Sequence, residues 1–358
     1  MAEKNIVIKT EGKLTIFNYG IVCDFTDPVV QEARGIIIDT DTLEVVCWPF
    51  RKFGNYNESY ADDIDWSTAH VQDKIDGSII KLWYDKPDQR WVFSTNSVID
   101  AENAKTNMGH SFRDVIMSAD NFYSLKFEDL NKNNTYIFEL VSPETRVVIN
   151  YPFCRLYHIG TRNNITGKEL ITDIGIVKPC LYDIGSLDKC INAAASLNDK
   201  DDIKHEGFVV VDKNFHRIKV KSPSYLIIHH IRGNNACSRE RCLKLLTTTD
   251  IDIDKFCANY PYQGLHVRYY QFKLAELRYE ATMFINYARN LYKELSFDRK
   301  ATANMIKTHK YAGLAFSALD NDRPAESFID DLTVSRLEKL IPEYSNNFDP
   351  TKVSTTPT

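Results

Sequence analysis

Near Ser222 the spacing of apolar residues changes, and that change limits what the chain can fold into. Before it, short runs rich in β-branched and aromatic residues recur: LTIFNYGIVC (14–23), GIIID (35–39), LEVVCW (43–48), SIIKLWY (78–84) and WVFST (91–95). YIFELV (136–141), RLYHIG (155–160), GFVVVD (207–212) and HRIKVK (216–221) continue the series. Runs of this length and composition read as strands. Only Ala101 to Ala119 shows helical spacing in this part, through Ala104, Met108, Phe112, Val115 and Met117. Because strands and helices do not alternate, the spacing predicts a mainly antiparallel α+β domain rather than a doubly wound parallel sheet. After Ser222 the strand runs stop. Val267, Tyr270, Leu274, Leu277, Ala281, Phe284, Ala288 and Leu291 step by three and four, the stripe of a core helix in a small bundle. Pro261 opens that helix, Ser296 to Asp298 closes it, and residues 325–340 read as a last amphipathic helix. The expected organisation is an α+β domain over residues 1–230, an all-helical domain over 231–345 and a disordered tail over 346–358.

Composition excludes several classes. With 358 residues, 43% hydrophobic and 26% charged, the chain has the make-up of a soluble globular protein. Its polar opening lacks the apolar core of a signal peptide, and no run of about 18 apolar residues appears. The expectation is therefore a cytoplasmic protein with no membrane partner. The eight cysteines form no CxxC pair, which predicts reduced, mostly buried thiols and no zinc site. Net charge is −5, divided as −7 over residues 1–230 and +2 over the remainder. A chain so charged does not coat nucleic acid; a phosphate-binding surface on it must be a local cleft.

Five short stretches offer chemistry in such a cleft. In QDKIDGSIIKLWYD (72–85), Lys74 stands two residues before Asp76 and Gly77, ahead of a strand. A lysine becomes a nucleophile only when its amine is neutral, which burial or nearby positive charge favours. Gly77 would let backbone approach a ligand, although a hairpin turn with a solvated lysine fits the same four residues. Arg34 precedes Gly35 and a strand, and Lys52 follows another in WPFRKFGN. Both suit phosphate, as fork and as point charge, and both equally suit a solvated surface. Glu139 lies inside YIFELV and Glu206 just before the valines of HEGFVVVD. Each is either a solvated carboxylate or one turned inward to hold a ribose hydroxyl or a hydrated metal. Lys219 and Lys221, two apart, share one strand face, where they repel unless an anion lies between them. A solvated edge strand is the alternative.

Taken in order, K-x-D-G-S, F-E, H-E-G and K-V-K resemble the covalent nucleotidyltransferase superfamily of ATP-dependent ligases and mRNA capping enzymes. Glu139, Glu206, Lys219 and Lys221 follow Lys74 by 65, 132, 145 and 147 residues, as suits one compact catalytic domain. Ser78 after the glycine, the upstream EARGIII and WPFRKFGN, and the helical region beyond the lysine pair bring the resemblance closest to the RNA ligase 1 family of T-even-type bacteriophages. RLYHIGTRNNITGKEL (155–170) resembles that family's nucleotide-pocket strand and hairpin. One departure stands out: Thr95 and Asn96 occupy the place where the family carries a basic residue, with Arg90 or Lys105 as candidate substitutes.

The resemblance implies an ATP-dependent RNA ligase using ATP and Mg2+, with Mn2+ as a substitute. Its partner would be RNA with 5′-phosphate and 3′-hydroxyl ends, cleaved tRNA among them. The enzyme would be a monomer working in the cytoplasm, the host's if phage-encoded. Lys74 would carry AMP, and Lys219 and Lys221 would act on the α-phosphate. Arg34 and Lys52 would hold the outer phosphates. Glu139 and Glu206 would contact ribose or hydrated metal, Gly77 would make room for the sugar, and Asp76 would support the loop. A DNA ligase, a capping guanylyltransferase and a non-catalytic RNA-binding protein with a relic pocket are the competing readings. The helical region would choose the RNA, through a cluster of Arg232, Arg239, Arg241 and Lys244.

Overall fold

The structure, a computed structural model, describes residues 4–20, 23–106, 108–198, 203–232, 238–248, 253–344 and 348. The chain divides into two compact units, Met1–Asp199 with Ile203–Leu226, and Lys200–Asp202 with Ile227–Thr358. In the first, the strands in chain order are β1 (Ile6–Glu11), β2 (Leu14–Tyr19), β3 (Arg34–Asp39), β4 (Val45–Cys47), β5 (His70–Asp73), β6 (Ser78–Asp85) and β7 (Arg90–Thr95). They continue as β8 (Asn134–Val141), β9 (Arg155–Asn163), β10 (Glu169–Leu170), β11 (Leu181–Tyr182), β12 (Gly207–Val211) and β13 (Arg217–Lys221). Helices α1 (Pro28–Glu32), α2 (Phe112–Met117) and α3 (Leu187–Ser196) accompany them. The strands form three sheets, ordered β1-β2-β3-β4, β10-β9-β8-β6-β7 and β11-β5-β12-β13. Every described ladder is antiparallel.

β8 is the middle of the middle sheet, and all eight of its residues are buried. Tyr136, Phe138 and Leu140 face a core that includes Ile80, Leu82, Val115 and Ile116. The opposite face carries Ile137, packed with Phe50, Phe53, Val209 and Val211. Since side chains alternate along a strand, Glu139 belongs to this second face, between two sheets. In the third sheet the same alternation sorts apolar from charged. Phe208, Val210, Ile218 and Val220 pack on Cys190 and Ala194 of α3, so Arg217, Lys219 and Lys221 turn to the other side. An inward-facing helix on one side thus aims three cations at the other.

The structure corrects several readings. β1 and β5 pair within sheets although neither run stands out in the sequence, and α3 is a full helix capped by Ser186. The helix expected over Ala101 to Ala119 is a short 3-10 turn at Ala101–Asn103 followed by α2 alone. Gly109 at φ 90° breaks the stretch, and Ser111 with Asp114 forms a capping box that starts a new helix. Among the seven described cysteines Cys47, Cys190 and Cys242 are buried and Cys180 is exposed, so the thiols are not mostly buried.

The second unit contains helices only, among its described residues: the end of α4 (Pro223–Arg232), then α5 (Arg239–Thr248), α6 (Ile253–Asn259), α7 (Pro261–Glu294), α8 (Arg299–Ile306), α9 (Ala312–Ala318), α10 (Ser327–Asp330) and α11 (Val334–Leu340). α7 is the long one, and Val267, Tyr270, Leu277, Ala281, Ile285 and Ala288 are buried along it. Residues 325–340 make two short helices, α10 and α11, rather than one. The tail from residue 346 lies outside the described residues except for Phe348. No described helix is long and apolar enough to cross a membrane.

The buried middle of β8 sets a first expectation. Phe138→Ala removes a fully buried ring and should cost about 3–5 kcal/mol in urea unfolding. A loss below about 1 kcal/mol would show that this face can collapse to fill the gap.

Candidate active site

Lys74 directly follows β5, and its backbone N–H donates to the Gly207 carbonyl at 2.9 Å. Gly207 starts β12 and pairs with Lys221 of β13. It has φ 138°, and a Cβ there would stand 2.2 Å from the Val220 carbonyl oxygen. Only glycine fits so close a crossing. Glu206, one residue earlier, therefore lies between the two lysines. One of its carboxylate oxygens accepts from the Lys74 Nζ at 2.9 Å, and the other lies 2.9 Å from the Lys221 Nζ.

The loop from Lys74 to β6 is held from beneath. One Asp76 oxygen accepts from the Val148 and Ile149 N–H groups at 2.8 and 2.7 Å. The other accepts from the Tyr225 hydroxyl at 2.7 Å. Gly77 crosses β8 so tightly that a Cβ would meet the Leu140 carbonyl oxygen at 2.3 Å. Asp76 is thus a buried brace for the lysine loop, and Gly77 makes room for β8 rather than for a sugar.

Arg34, Lys74, Glu139, Arg217 and Lys219 line one cavity, with Phe50 and Phe53. The Arg34 guanidinium lies 4.9 Å from the Phe50 centroid and 5.2 Å from that of Phe53. Arg217 lies 4.9 Å from Phe50, and the Lys219 Nζ 4.6 Å from Phe53. Two rings thus hold three cations apart. Arg34 is buried and its Nε finds no hydrogen-bond partner among the described residues. The cavity encloses only about 80 Å3, well under the ~300 Å3 of a typical ligand pocket.

The charges set one another's protonation. Burial alone would push the Lys74 amine down, but Glu206 and Glu139 outweigh it and hold it above its ordinary value. This corrects the expectation that burial lowers it: the burial brings two carboxylates along. Burial likewise pushes Glu206 up, yet Lys74 and Lys221 carry it below the ordinary range. For Glu139, burial wins over Lys74, and with Glu206 nearby the carboxyl rises to about 7. Among the described residues Lys219 forms no ion pair. Burial, then Arg34, Lys52, Lys74 and Lys221, push it down to about 5, and its Nζ donates to the Phe53 carbonyl at 3.0 Å.

Other expected residues lie elsewhere. Lys52 packs its Nζ about 5 Å from the Tyr19 and Phe25 rings and does not line the cavity. Arg90 pairs with Asp100 at 3.2 Å and stands opposite Asp85, at the far end of its hairpin from the Ile80–Thr95 pair. It cannot stand in for a basic group at Thr95. The backbone of Lys105 forms an isolated β-bridge with Ser111. Two other lysines lie near that place: Lys9 donates to the Ser97 carbonyl at 3.2 Å, and the fully buried Lys81 donates to the Gly35 carbonyl, where a Cβ on Gly35 would touch both its Nζ and the Asn96 carbonyl. Arg239 of the expected RNA cluster donates to the Ile341 carbonyl at 3.0 Å, and the Arg232 side chain lies outside the described residues.

Arg217 was open to inference: R-I-K-V-K puts it on the face of Lys219 and Lys221. Glu169 clamps it through two bonds of 2.7 and 2.6 Å. Lys81 gave no signal, because a lysine within a strand reads as a solvated position.

Lys74 thus answers to Glu206 and Glu139 on one side and shares a cavity with Arg34, Arg217 and Lys219 on the other. The family model for RNA ligase, of the bacteriophage RNA ligase 1 type, matches residues 32–225, more than half of the chain. The chain belongs to that family. A protein of Autographa californica nuclear polyhedrosis virus whose name joins polynucleotide kinase and RNA ligase is 32% identical over 243 residues, 62% of this chain and 34% of its own. An RNA ligase of Rhodothermus phage RM378 is 24% identical over 301 residues, 65% of this chain and 67% of its own. The chain thus spans about a third of the viral relative and two thirds of the phage one. Among solved structures, an archaeal ATP-dependent RNA ligase aligns over 78% of this chain and 76% of its own, at 12% identity and a TM-score of 0.45. That likeness is too distant to carry an argument.

Two outcomes follow from the geometry. Asp76→Ala removes the acceptor of three hydrogen bonds, two of them from backbone N–H groups, and should cost about 3 kcal/mol in urea unfolding. Lys219→Met should act the other way. Unfolded, a lysine keeps its proton to about pH 10.4; folded, Lys219 loses it above about 5. The group therefore opposes folding below about pH 10, increasingly as pH falls towards 5. The variant should melt higher at pH 6–8, with a gain that grows towards lower pH; a lower melting temperature would show Lys219 to be a stabilising residue.

Proposed function

We propose that this chain is an ATP-dependent RNA ligase with Lys74 as its nucleophile. The observation that carries the reading is the Lys74 ammonium held by Glu206 at the mouth of a cavity lined by Arg34, Arg217 and Lys219. A cluster of basic side chains such as this suits an entering polyphosphate, which would keep Lys219 protonated and compete with Glu206 for Lys74.

In this reading the neutral Lys74 amine attacks the α-phosphorus of ATP. A phosphorus–nitrogen bond forms, the bond to the bridging β-phosphate oxygen breaks, and pyrophosphate leaves. The lysine proton must first go to a neighbouring base, and Glu139 and Glu206 face it. The 5′-phosphate of an RNA then takes the AMP from Lys74, and a 3′-hydroxyl attacks that phosphate and expels AMP. Each transfer rests on positioning and on neutralising charge. Lys219 and Lys221 act on the α-phosphate. Arg34, with Arg217, receives the outer phosphates in place of Lys52.

A divalent cation fits this site in one manner. No group of three His, Cys, Asp or Glu side chains converges among the described residues. Glu139 and Glu206 alone would hold the ion, as magnesium is commonly held by one or two carboxylates with water and substrate phosphates. When bound, it would supply charge neutralisation at the phosphates. The helical residues 231–345 contribute no catalytic group here and select the RNA, broken tRNA being the substrate the family resemblance suggests.

ATP labelled at its α-phosphate should leave label on the denatured protein, and GTP should not. Lys74→Arg should take no label, since arginine keeps its proton. Label on that variant would remove Lys74 from this role, and preferential labelling by GTP would favour a capping enzyme.

A further inference from the structure

Away from Lys74, the first unit carries an open cleft of about 410 Å3, within the size range of sites for small ligands. Trp48, Tyr84, Lys86, Lys132, Leu43 and Ile165 are among its lining residues. Two aromatic side chains line it, with Arg162 lying over the Trp48 ring at 4.5 Å. The Lys132 Nζ lies 4.3 Å from the Tyr84 ring centroid, and Lys86 stands 3.8 Å from Glu44.

Leu43 and Ile165 bound the cleft from two different turns, and both point into solvent, 78% and 70% exposed. Leu43 is the odder of the two. It lies between β3 and β4 at φ 61°, a left-handed conformation that suits glycine and strains a leucine. Folding gains neither burial nor ease from a leucine there. Strained, exposed apolar side chains of this kind recur where something binds.

The cleft shares a strand with the lysine cavity. Asn133, just before β8, lines the one, and Glu139 within β8 lines the other. Six residues of strand place them about 20 Å apart, the rise of about six stacked nucleotides at ~3.4 Å each. Aromatic surface, aliphatic tips and two lysines match an unpaired base and its phosphates.

Resting on the ligase reading above, we infer that this cleft seats an unpaired nucleotide of the RNA substrate, about six nucleotides from the end being joined. Lys86 and Lys132 meet the backbone, and Leu43 and Ile165 flank the base.

The test uses the full-length protein, a labelled single-stranded 20-mer RNA and a 4-mer too short to reach the cleft. Lys86→Gln with Lys132→Gln should weaken 20-mer binding about ten-fold. The salt slope should fall by about 1.4 for two lost phosphate contacts. Leu43→Gly should also weaken 20-mer binding while the melting temperature holds or rises, because it removes the left-handed strain. The 4-mer and the labelling of Lys74 by ATP should be unaffected in both variants. Unchanged 20-mer affinity would overturn the cleft while leaving the ligase reading intact. Equal losses for the 4-mer and 20-mer would overturn it as well. Failure of the wild-type protein to take label from ATP would overturn both.

Discussion

The site depends on one carboxylate shared by two ammonium groups. Glu206, nearly buried, holds Lys74 with one oxygen and Lys221 with the other. Neither cation could be desolvated alone at this depth without a heavy cost. The carboxylate in turn is fixed by β12, whose first residue must be glycine to let β13 cross it. Backbone geometry, not side-chain packing, therefore sets where the charges meet. Arg34, Arg217 and Lys219 then stand around a cavity with the rings of Phe50 and Phe53 packed against them.

This balance gives the lysine an unreactive ground state. Its partners keep it protonated, so the amine becomes a nucleophile only when something weakens the hold of Glu206 and Glu139. An anion that engages Lys221 and Lys219 competes for the same electrostatic field. On the proposed reading, the arrangement would couple release of the Lys74 amine to occupancy of the phosphate region, which a permanently neutral lysine would not do.

Much of this was legible in the residues and some was not, for identifiable reasons. Period-two alternation told correctly that Lys219 and Lys221 share a face, and the same rule would have added Arg217. Glu139 inside an apolar run was ambiguous by itself; what resolves it is that β8 is covered on both faces, a property of sheet order and not of local pattern. β5 is four residues long with one fully buried apolar side chain, too little to mark a strand. Helical spacing over 101–119 misled because periodicity was weighed without the cap at Ser111. Asp76 was expected to support the loop, but its buried N–H partners were not legible, and Lys81 was hidden altogether. Charged residues read as solvated until tertiary structure supplies a buried carbonyl or N–H to meet them.

The brace under the lysine loop has a bearing on synthesis. Asp76 is translated early, but its Tyr225 partner is 149 residues further on, and the N–H of Lys74 waits as long for Gly207. A growing chain can therefore build the central sheet while its most reactive loop is still without support. Such distant pairings close late, after the cost of ordering the intervening loop has been met. A nascent or nicked chain that stopped short of Tyr225 would contain every catalytic side chain named above and still lack the brace that aligns them. On the proposed reading, reactivity would therefore wait on completion of the first unit.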